Sequence, residues 1–289
     1  MPTDAVIGSG APPAQPKLVT KRVARHSLIV RITHWINVVA ISFMLLSGLN
    51  IFNAHSALYW GQKADFAHPW LSIQAGGTNG VWKGDTQIGP WHFDTTGVLG
   101  ASKTDGVMGP RAFPAWATFP KGTWLSLARR WHFFWAWIFA INGAIYLASA
   151  FIGGHLKRDI FPGPKQLASL PRDILDHILL RFPKGWEATR YHVLQRIAYF
   201  GTAFIVLPLL VLTGMTMSPG LDAAFPFLLD VFGGRQSARS IHFICAMAVV
   251  VFVIVHLVMV LLTGPFNQVR AMITGRYAIK VPQGQEAAP

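Results

Sequence analysis

Cysteine and acidic residues are scarce in this chain of 289 residues. The single cysteine, Cys245, excludes an intrachain disulfide and any zinc or iron–sulfur site built from several thiolates. We interpret it as a small packing residue. Only 13% of the residues are charged, with 12 acidic and 25 basic side chains. An average globular protein has about 25% charged residues. With 52% hydrophobic residues, this composition excludes an ordinary soluble domain and favours a membrane protein with several spans.

Four long apolar segments contain no aspartate or glutamate, and they cover residues 32–52, 132–153, 197–217 and 241–262. Each is long enough to cross the hydrocarbon layer of a bilayer as a helix, which takes about 20 residues. Pro208 should kink the third segment. We therefore predict an all-α membrane protein, a four-transmembrane-helix bundle with a long extracytoplasmic loop between helices 1 and 2.

Basic residues are unevenly distributed among the connecting segments. The segments before the first span, between the second and third, and after the fourth hold 16 of the 25 basic residues. By the positive-inside rule, both termini lie in the cytoplasm and the protein spans the bacterial inner membrane. This orientation accounts for the net charge of +13 without nucleic acid. We expect a disordered cytoplasmic N-terminus over 1–25, a four-helix domain over 26–275 and a cytoplasmic tail over 276–289.

The loop over 53–128 is rich in glycine, proline and tryptophan and nearly balanced in charge. Short hairpins are possible around Gly89-Pro90 and Gly109-Pro110. Loops of this length are uncommon and are often functional. Two compatible interpretations are an ordered cap over the bundle and a docking surface for an extracytoplasmic redox subunit.

Two histidines in the fourth span, His242 and His256, are 14 residues apart and so lie on one face of a helix. Their axial separation is roughly 21 Å at 1.5 Å per residue, which places one near each side of the bilayer. In the predicted topology His34 lies at the depth of His256, and His132 at the depth of His242. Neutral imidazole is the commonest protein metal ligand. Each pair could thus supply two axial ligands to a b-type haem held between helices.

Other roles for intramembrane histidines stay open at this point. A proton-conducting or transport protein could use them as relays, and a non-haem membrane anchor could use them for interhelical hydrogen bonds. The lack of acidic residues in the spans counts against a proton pathway.

Several residues near these histidines are candidates for haem contacts. Gly48 lies 14 residues beyond His34, level with the second haem, where a glycine lets the backbone approach a flat macrocycle; ordinary small-residue packing is the alternative. Ser47-Gly48-Leu49 is weakly echoed by Thr213-Gly214-Met215 in the third span. Four arginines at span ends could bind propionates or could only set the topology: Arg31, Arg129, Arg130 and Arg239.

A polar group stands at the start of the third span, at the depth of the His34/His256 pair. It comprises Tyr191, His192, Gln195 and Arg196. Such a pocket would suit the oxygens of a quinone, with protons passing through the imidazole. Alternatively, His192 only caps the helix.

The chain resembles the four-helix b-type cytochrome subunits of formate dehydrogenases, nickel–iron hydrogenases and thiosulfate reductases, in the cytochrome b561-like superfamily. The resemblance covers about residues 25–275. It is carried by Arg31-Ile-Thr-His34-Trp35, Arg129-Arg130-Trp131-His132, the Tyr191…Gln195-Arg196 stretch, and His242 with His256.

This resemblance implies two haems b with the ligand pairs given above and a quinone site near the cytoplasmic haem. The position of His192 is commonly asparagine in the family, so the hydrogen bonding to quinone should differ here. The long loop is similar to that of the subgroup accompanying extracytoplasmic molybdopterin oxidoreductases. The expected function is electron transfer between the quinone pool and a periplasmic oxidoreductase partner.

Overall fold

Within the part of the chain that the structure describes, four helices of the computed structural model are long and apolar enough to cross a membrane. The structure describes residues 17–78, 81–154, 156, 161, 163, 167–179, 181, 185–189 and 192–284. The first two long helices are α1 (Leu28–Asn53) and α2 (Leu125–Ile152), which pack against each other. Both begin earlier than the apolar runs predicted. Their first turns carry polar and basic residues, which a reading of hydrophobicity alone leaves out.

The third span is not one regular helix. A short helix α3 (Leu170–Ile178) and a 3-10 turn (Gly185–Thr189) precede it. The span itself comprises α4 (Val193–Phe200), a π-helical turn (Gly201–Val206) and α5 (Leu207–Met217). Pro208 is the second residue of α5, two residues beyond the end of the π-helical turn. Because proline cannot donate a hydrogen bond and its ring crowds the preceding turn, it accounts for the irregularity here.

Two short helices, α6 (Pro219–Ala224) and α7 (Phe227–Val231), lead into the fourth span. That span is α8 (Arg235–Leu262), and α5 packs along it. A final helix, α9 (Pro265–Thr274), begins after Gly264, whose φ of 101° turns the chain sharply out of α8.

The long loop between α1 and α2 folds into strands, so the expectation of an all-α chain needs correction. Its main sheet is antiparallel with the order β2 (Ala57–Leu58), β3 (Leu71–Thr78), β4 (Val81–Ile88), β5 (Trp91–Asp94). A second hairpin pairs β6 (Ala101–Thr104) with β7 (Val107–Pro110), and a 3-10 turn covers Ala115–Ala117. Gly89-Pro90 forms the turn between β4 and β5, whereas Gly109-Pro110 lies within β7. We call residues 54–124 the cap.

The cap packs on the ends of α1 and α8. Its core joins Leu58, Leu71 and Ile73 to Phe52 of α1, and Phe243 of α8 packs against them. Hydrogen bonds reinforce this contact: Asn50 of α1 donates to the carbonyls of Pro120 at 2.8 Å and Gly122 at 2.9 Å. The loop is thus an ordered cap, one of its two predicted roles.

A two-stranded antiparallel ribbon closes the opposite end of the bundle. It pairs β1 (Leu18–Ala24) with β8 (Arg276–Pro282), and Val23 lies opposite Tyr277. Its buried face packs on Ala271 of α9 and on Trp186. From sequence, these segments were expected to belong to a disordered N-terminus and a cytoplasmic tail. Each strand has only seven residues, and its partner lies some 250 residues away in the chain. The sequence of either segment alone therefore gives little indication of a strand.

Candidate functional site: two histidine pairs

The cap-side histidine pair lies beneath the cap. His132 is in the second turn of α2, and His242 is in the second turn of α8. Their ring centroids are 6.3 Å apart, and the ring planes are inclined by 61°. Two helices that are far apart in sequence therefore present one imidazole each to a common space.

Hydrogen bonds from neighbouring helices hold the two rings of this pair. Nδ1 of His132 lies 3.0 Å from the carbonyl oxygen of Met44 and 3.2 Å from Oγ of Ser47. Nδ1 of His242 lies 3.0 Å from Oγ1 of Thr213 and also bonds the backbone of Leu210. A carbonyl oxygen can only accept, so Nδ1 carries the proton in both rings. Nε2 of each neutral imidazole is then a lone-pair donor available to a metal.

The weak echo between spans one and three is explained by this contact. Ser47 donates to the carbonyl of Phe43 at 2.6 Å, and Thr213 donates to the carbonyl of Leu209 at 2.6 Å. Each hydroxyl thus has its own hydrogen committed to its helix and accepts from an imidazole. The glycine that follows makes room for the ring. A Cβ on Gly48 would lie 3.3 Å from Cε1 of His132, and one on Gly214 would lie 3.4 Å from Cε1 of His242.

Gly48 therefore contacts the edge of a histidine ring, at the level at which the sequence analysis placed it. The sequence analysis missed Ser47 and Thr213 as partners of the histidines. The sequence feature that could have identified them is the hydroxyl–glycine pair, which occurs in span one and again in span three. It becomes informative only when α1 is known to pack on α2 and α5 on α8.

The ribbon-side histidine pair lies near the other end of the bundle. His34 of α1 and His256 of α8 have ring centroids 6.4 Å apart, with planes inclined by 56°. Trp35 meets His34 edge to face at 5.2 Å, and Phe252 stacks on His256 at 5.9 Å. Nδ1 of His34 is buried and has no hydrogen-bond partner within the described part of the chain. Aromatic contacts thus surround this pair, in contrast to the hydrogen-bonded cap-side pair.

Both pairs fit a six-coordinate haem. Metal–imidazole bonds are about 2 Å long, so two rings sharing one metal have centroids about 6 Å apart once the half-width of each ring is added. The observed separations, 6.3 and 6.4 Å, meet this requirement. No cluster of three or more His, Cys, Asp or Glu side chains suited to a metal ion occurs among the described residues. Two ligands from the protein suit haem, because the porphyrin supplies the other four.

The four arginines predicted near propionates occupy different surroundings. Arg31 donates to the carbonyl of Ile273 in α9 at 3.0 Å. Arg129 and Arg130 are exposed in the first two turns of α2, with Arg129 5.7 Å from the ring of Phe133. Arg239 donates to the carbonyls of Ala57, at 2.8 Å, and His55. Arg239 therefore ties α8 to the cap, a role that the sequence analysis did not foresee.

The polar group predicted for quinone is described only in part. Tyr191 lies outside the described residues. His192 precedes α4, and its backbone N–H donates to Oε1 of Gln195 at 3.3 Å, so Gln195 caps the helix. The ring of His192 lies 5.9 Å from that of His177, and its Nδ1 is 3.8 Å from Oδ2 of Asp173. Arg196 is 3.5 Å from the carbonyl of Phe161.

Four membrane-spanning helices with two opposed histidine pairs define a class, the membrane cytochromes of b type. The chain belongs to the prokaryotic cytochrome b561 family, whose pattern matches residues 25–275. This membership confirms the superfamily to which the sequence analysis pointed. The protein is a multi-pass membrane protein of electron transport that binds haem b.

One curated relative is a protein of Azospira oryzae whose name describes it as a candidate protein-methionine-sulfoxide reductase subunit, YedZ1. It is 37% identical over 155 residues, which are 53% of this chain and 74% of the relative. No solved structure matches the chain significantly. The comparisons support the cytochrome b561 family and not the narrower group of formate dehydrogenase and hydrogenase subunits.

Proposed function

We propose that this protein is a di-haem cytochrome b that transfers electrons between the quinone pool and an oxidoreductase bound on its cap side. The observation that carries the proposal is the presence of two histidine pairs, each with ring centroids a little over 6 Å apart. Since His242 and His256 are 14 residues apart on α8, the two sites are separated by roughly 21 Å along the helix. Their arrangement suits electron transfer across most of a bilayer.

The histidines would hold the cofactors as axial ligands, His132 with His242 and His34 with His256. Bound haem supplies one-electron transfer at each site. Held by two imidazoles each, the haems would offer no coordination position to a substrate. The low dielectric of the bundle and the hydrogen bonds at Nδ1 would tune the potentials. The protein itself would therefore fix the orientation of the histidine ligands and their depth in the membrane.

We infer that the partner is a reductase in the periplasm, with both termini of this chain in the cytoplasm. The uneven distribution of basic residues supports this orientation in the inner membrane. The name of the Azospira relative supports a methionine-sulfoxide reductase as the partner. A molybdopterin oxidoreductase remains the class that the long cap favours. The cap presents exposed aromatic side chains for such a contact, among them Trp91, which is 67% exposed.

We further propose that quinone reacts near the ribbon-side pair, at Tyr191, His192, Gln195 and Arg196. His192 could relay a proton because Asp173 stands beside its ring. Replacement of His192 by alanine should leave both haems bound and slow their reduction by quinol. Stopped-flow reduction of the purified protein by a soluble quinol measures this. Unchanged kinetics in His192→Ala would remove the residue from the site.

The number of haems and their ligands can be tested together. A pyridine haemochromogen assay of the purified protein should give two haems per chain, and His242→Ala should give one. His256→Ala should also give one, with the opposite component missing from the reduced-minus-oxidised spectrum. His68→Ala, on an exposed side chain of the cap, is the control and should keep both haems. Two haems in His242→Ala would refute the ligand assignment.

A further inference from the structure

A basic cavity opens at the ribbon end of the bundle, and none of the four paired histidines lines it. Its volume is about 410 Å³, and it is lined by Arg22, Arg270, Thr274 and Arg276. Three guanidinium groups around one cavity, with a hydroxyl beside them, make a strongly cationic site. Neither the electron-transfer function nor the haem ligands account for it.

The fold brings these residues together from three elements. Ala24 of β1 lies opposite Arg276 of β8. Side chains two apart on a strand share a face, so Arg22 and Arg276 stand on the same side of the ribbon. Arg270 and Thr274 are one turn apart on α9 and are therefore neighbours on that helix. Both arginines are exposed, on the ribbon face opposite to the one that packs on Ala271, and they line an open cavity together with Arg270 and Thr274 of α9.

Among the described residues, the guanidinium groups of the cavity have no acidic partner. Within the part of the chain that the structure describes, no carboxylate lies within 4 Å of Arg22, Arg270 or Arg276. Arg270 donates from Nη2 to Oδ1 of Asn267 at 2.6 Å, while its Nε is buried without a hydrogen-bond partner there. Asn267 itself is fixed by donating to the carbonyl of Ala278 at 2.8 Å. The Arg270 side chain is thus oriented and retains an unused donor.

The neighbouring helix α9 indicates the depth of the cavity in the membrane. It follows directly on the fourth span, and three of its apolar side chains form an exposed stripe: Phe266, Val269 and Ile273. Phe266 is 92% exposed and Ile273 is 61% exposed. A helix with one exposed apolar stripe and an adjacent basic face is typical of segments that lie in the membrane interface. Arg270 and Thr274 border the stripe, so a helix α9 lying in the interface would place the cavity at the level of lipid headgroups.

We propose that this cavity binds the phosphate group of an anionic phospholipid, whose acyl chains lie along the stripe of α9. Arginine binds phosphate oxygens through two parallel N–H donors, and such charge-assisted bonds are stronger than neutral ones. Basic pockets at membrane-protein surfaces bind anionic headgroups for the same reason. Free inorganic phosphate shares this chemistry, but only a lipid uses the apolar stripe as well. The inference does not depend on the proposed function, since it requires only a membrane protein.

Native mass spectrometry of the detergent-solubilised full chain tests the proposal. After incubation with phosphatidylglycerol, the wild-type protein should retain one lipid per chain. The double variant Arg22→Gln/Arg276→Gln should need at least tenfold more lipid for equal occupancy. Arg172→Gln, an exposed arginine on α3, is the matched control and should behave as wild type. Phe266→Ser keeps the charges of the cavity and removes part of the apolar stripe. It should weaken retention of the lipid but not binding of inorganic phosphate.

A second arm separates the lipid from free phosphate. Calorimetric titration with inorganic phosphate should show weak binding that Phe266→Ser leaves unchanged. Phosphate binding without lipid retention would overturn the assignment to a lipid. Equal lipid retention by the double variant and the wild type would overturn the site itself. The haem spectrum of each variant verifies that it folds. Loss of a haem component in the double variant would assign the arginines to propionates instead of lipid. If the double variant does not fold, the single variant Arg22→Gln repeats the test.

Discussion

At the scale of single residues, a hydroxyl and a glycine support each imidazole of the cap-side pair. Ser47 and Thr213 accept from Nδ1 of His132 and His242 at 3.2 and 3.0 Å, respectively. The ribbon-side pair lacks this device at His34, whose Nδ1 has no partner in the described part of the chain. A hydrogen bond at Nδ1 makes the imidazole a more basic ligand. Since a basic ligand favours the ferric state, the haem proposed at the cap-side pair should have a lower potential than the one proposed at the ribbon-side pair.

Replacement of Thr213 by alanine should therefore raise the potential of the cap-side haem. The lost hydrogen bond is worth about 1 kcal/mol, and 1.4 kcal/mol corresponds to about 59 mV for one electron. A rise on the order of tens of mV is expected, with both haems still bound because Leu210 also holds the ring. Spectroelectrochemical titration measures both potentials. Ser47→Ala should act on the same haem through His132.

Ser42 offers a matched control for these hydroxyl variants. It also lies on α1 and donates to the carbonyl four residues earlier, that of Val38, at 2.7 Å. No hydrogen bond joins it to a histidine among the described residues. Ser42→Ala should leave both potentials unchanged. A shift of equal size in Ser42→Ala and Thr213→Ala would mean that the effect is not carried by the imidazole contact.

At the scale of elements, the cap and the start of α8 form one hydrogen-bonded unit. Ser240 accepts from Nε1 of Trp70 at 2.9 Å and donates to the carbonyl of Tyr59 at 2.6 Å. Oγ of Ser237 accepts from the N–H of Gly61 at 2.7 Å. Arg239 bonds two more cap carbonyls between these positions. All three residues lie within two turns of His242, so the cap fixes the helix end that carries a predicted haem ligand.

Replacement of Arg239 by glutamine should loosen this unit, because glutamine is too short to reach both carbonyls. Bonds from charged donors contribute about 1.5–3 kcal/mol each, so local opening of residues 55–59 should increase at least tenfold. Burial and the nearby Arg239 guanidinium also lower the pKa of His55. In Arg239→Gln the effect of the guanidinium is lost, so the pKa of His55 should rise. Hydrogen–deuterium exchange of the solubilised protein measures the opening.

The matched control for this variant is Arg130→Gln, which removes an exposed charge from the same end of the bundle. It should leave exchange in the cap unchanged. Loss of the cap-side haem in Arg239→Gln without faster exchange would assign Arg239 to a propionate, one of the two roles that the sequence allowed, and not to the cap.

The elements differ in how far sequence could predict them. Hydrophobic runs of about 20 residues have few alternatives, so the four spans were predictable and only their polar first turns were missed. The 14-residue spacing of His242 and His256 and the depth of His34 and His132 were sufficient to predict which histidines approach each other. The ribbon was not predictable, since β1 and β8 are short and pair across the whole chain. The hydroxyl contacts of Ser47 and Thr213 depend on helix packing, which periodicity does not specify.

At the scale of the whole molecule, the ribbon and the cap lie at opposite ends of the bundle. The ribbon joins the segment before α1 to the segment after α9, so both lie on the same side of the membrane. The cap lies at the other end, beside His132 and His242. The ribbon end carries the three arginines of the proposed lipid cavity, while the cap has nearly balanced charge. This asymmetry gives the two histidine pairs different neighbours: a proposed quinone site at one end and a proposed protein partner at the other.

The orientation of this asymmetric molecule can be measured with single cysteines. Cys245 is buried within α8 and is the only native thiol, so Cys245→Ala gives a background without cysteine at the cost of one small packing group. Val98→Cys places a thiol on an exposed cap position, and Lys280→Cys places one on an exposed ribbon position. By the positive-inside rule, a membrane-impermeant maleimide added to spheroplasts should label Val98→Cys at once and label Lys280→Cys only after lysis. The reverse pattern would put the cap in the cytoplasm. A periplasmic reductase could not then reach the cap-side haem, and the proposed direction of access to the two haems would have to be exchanged.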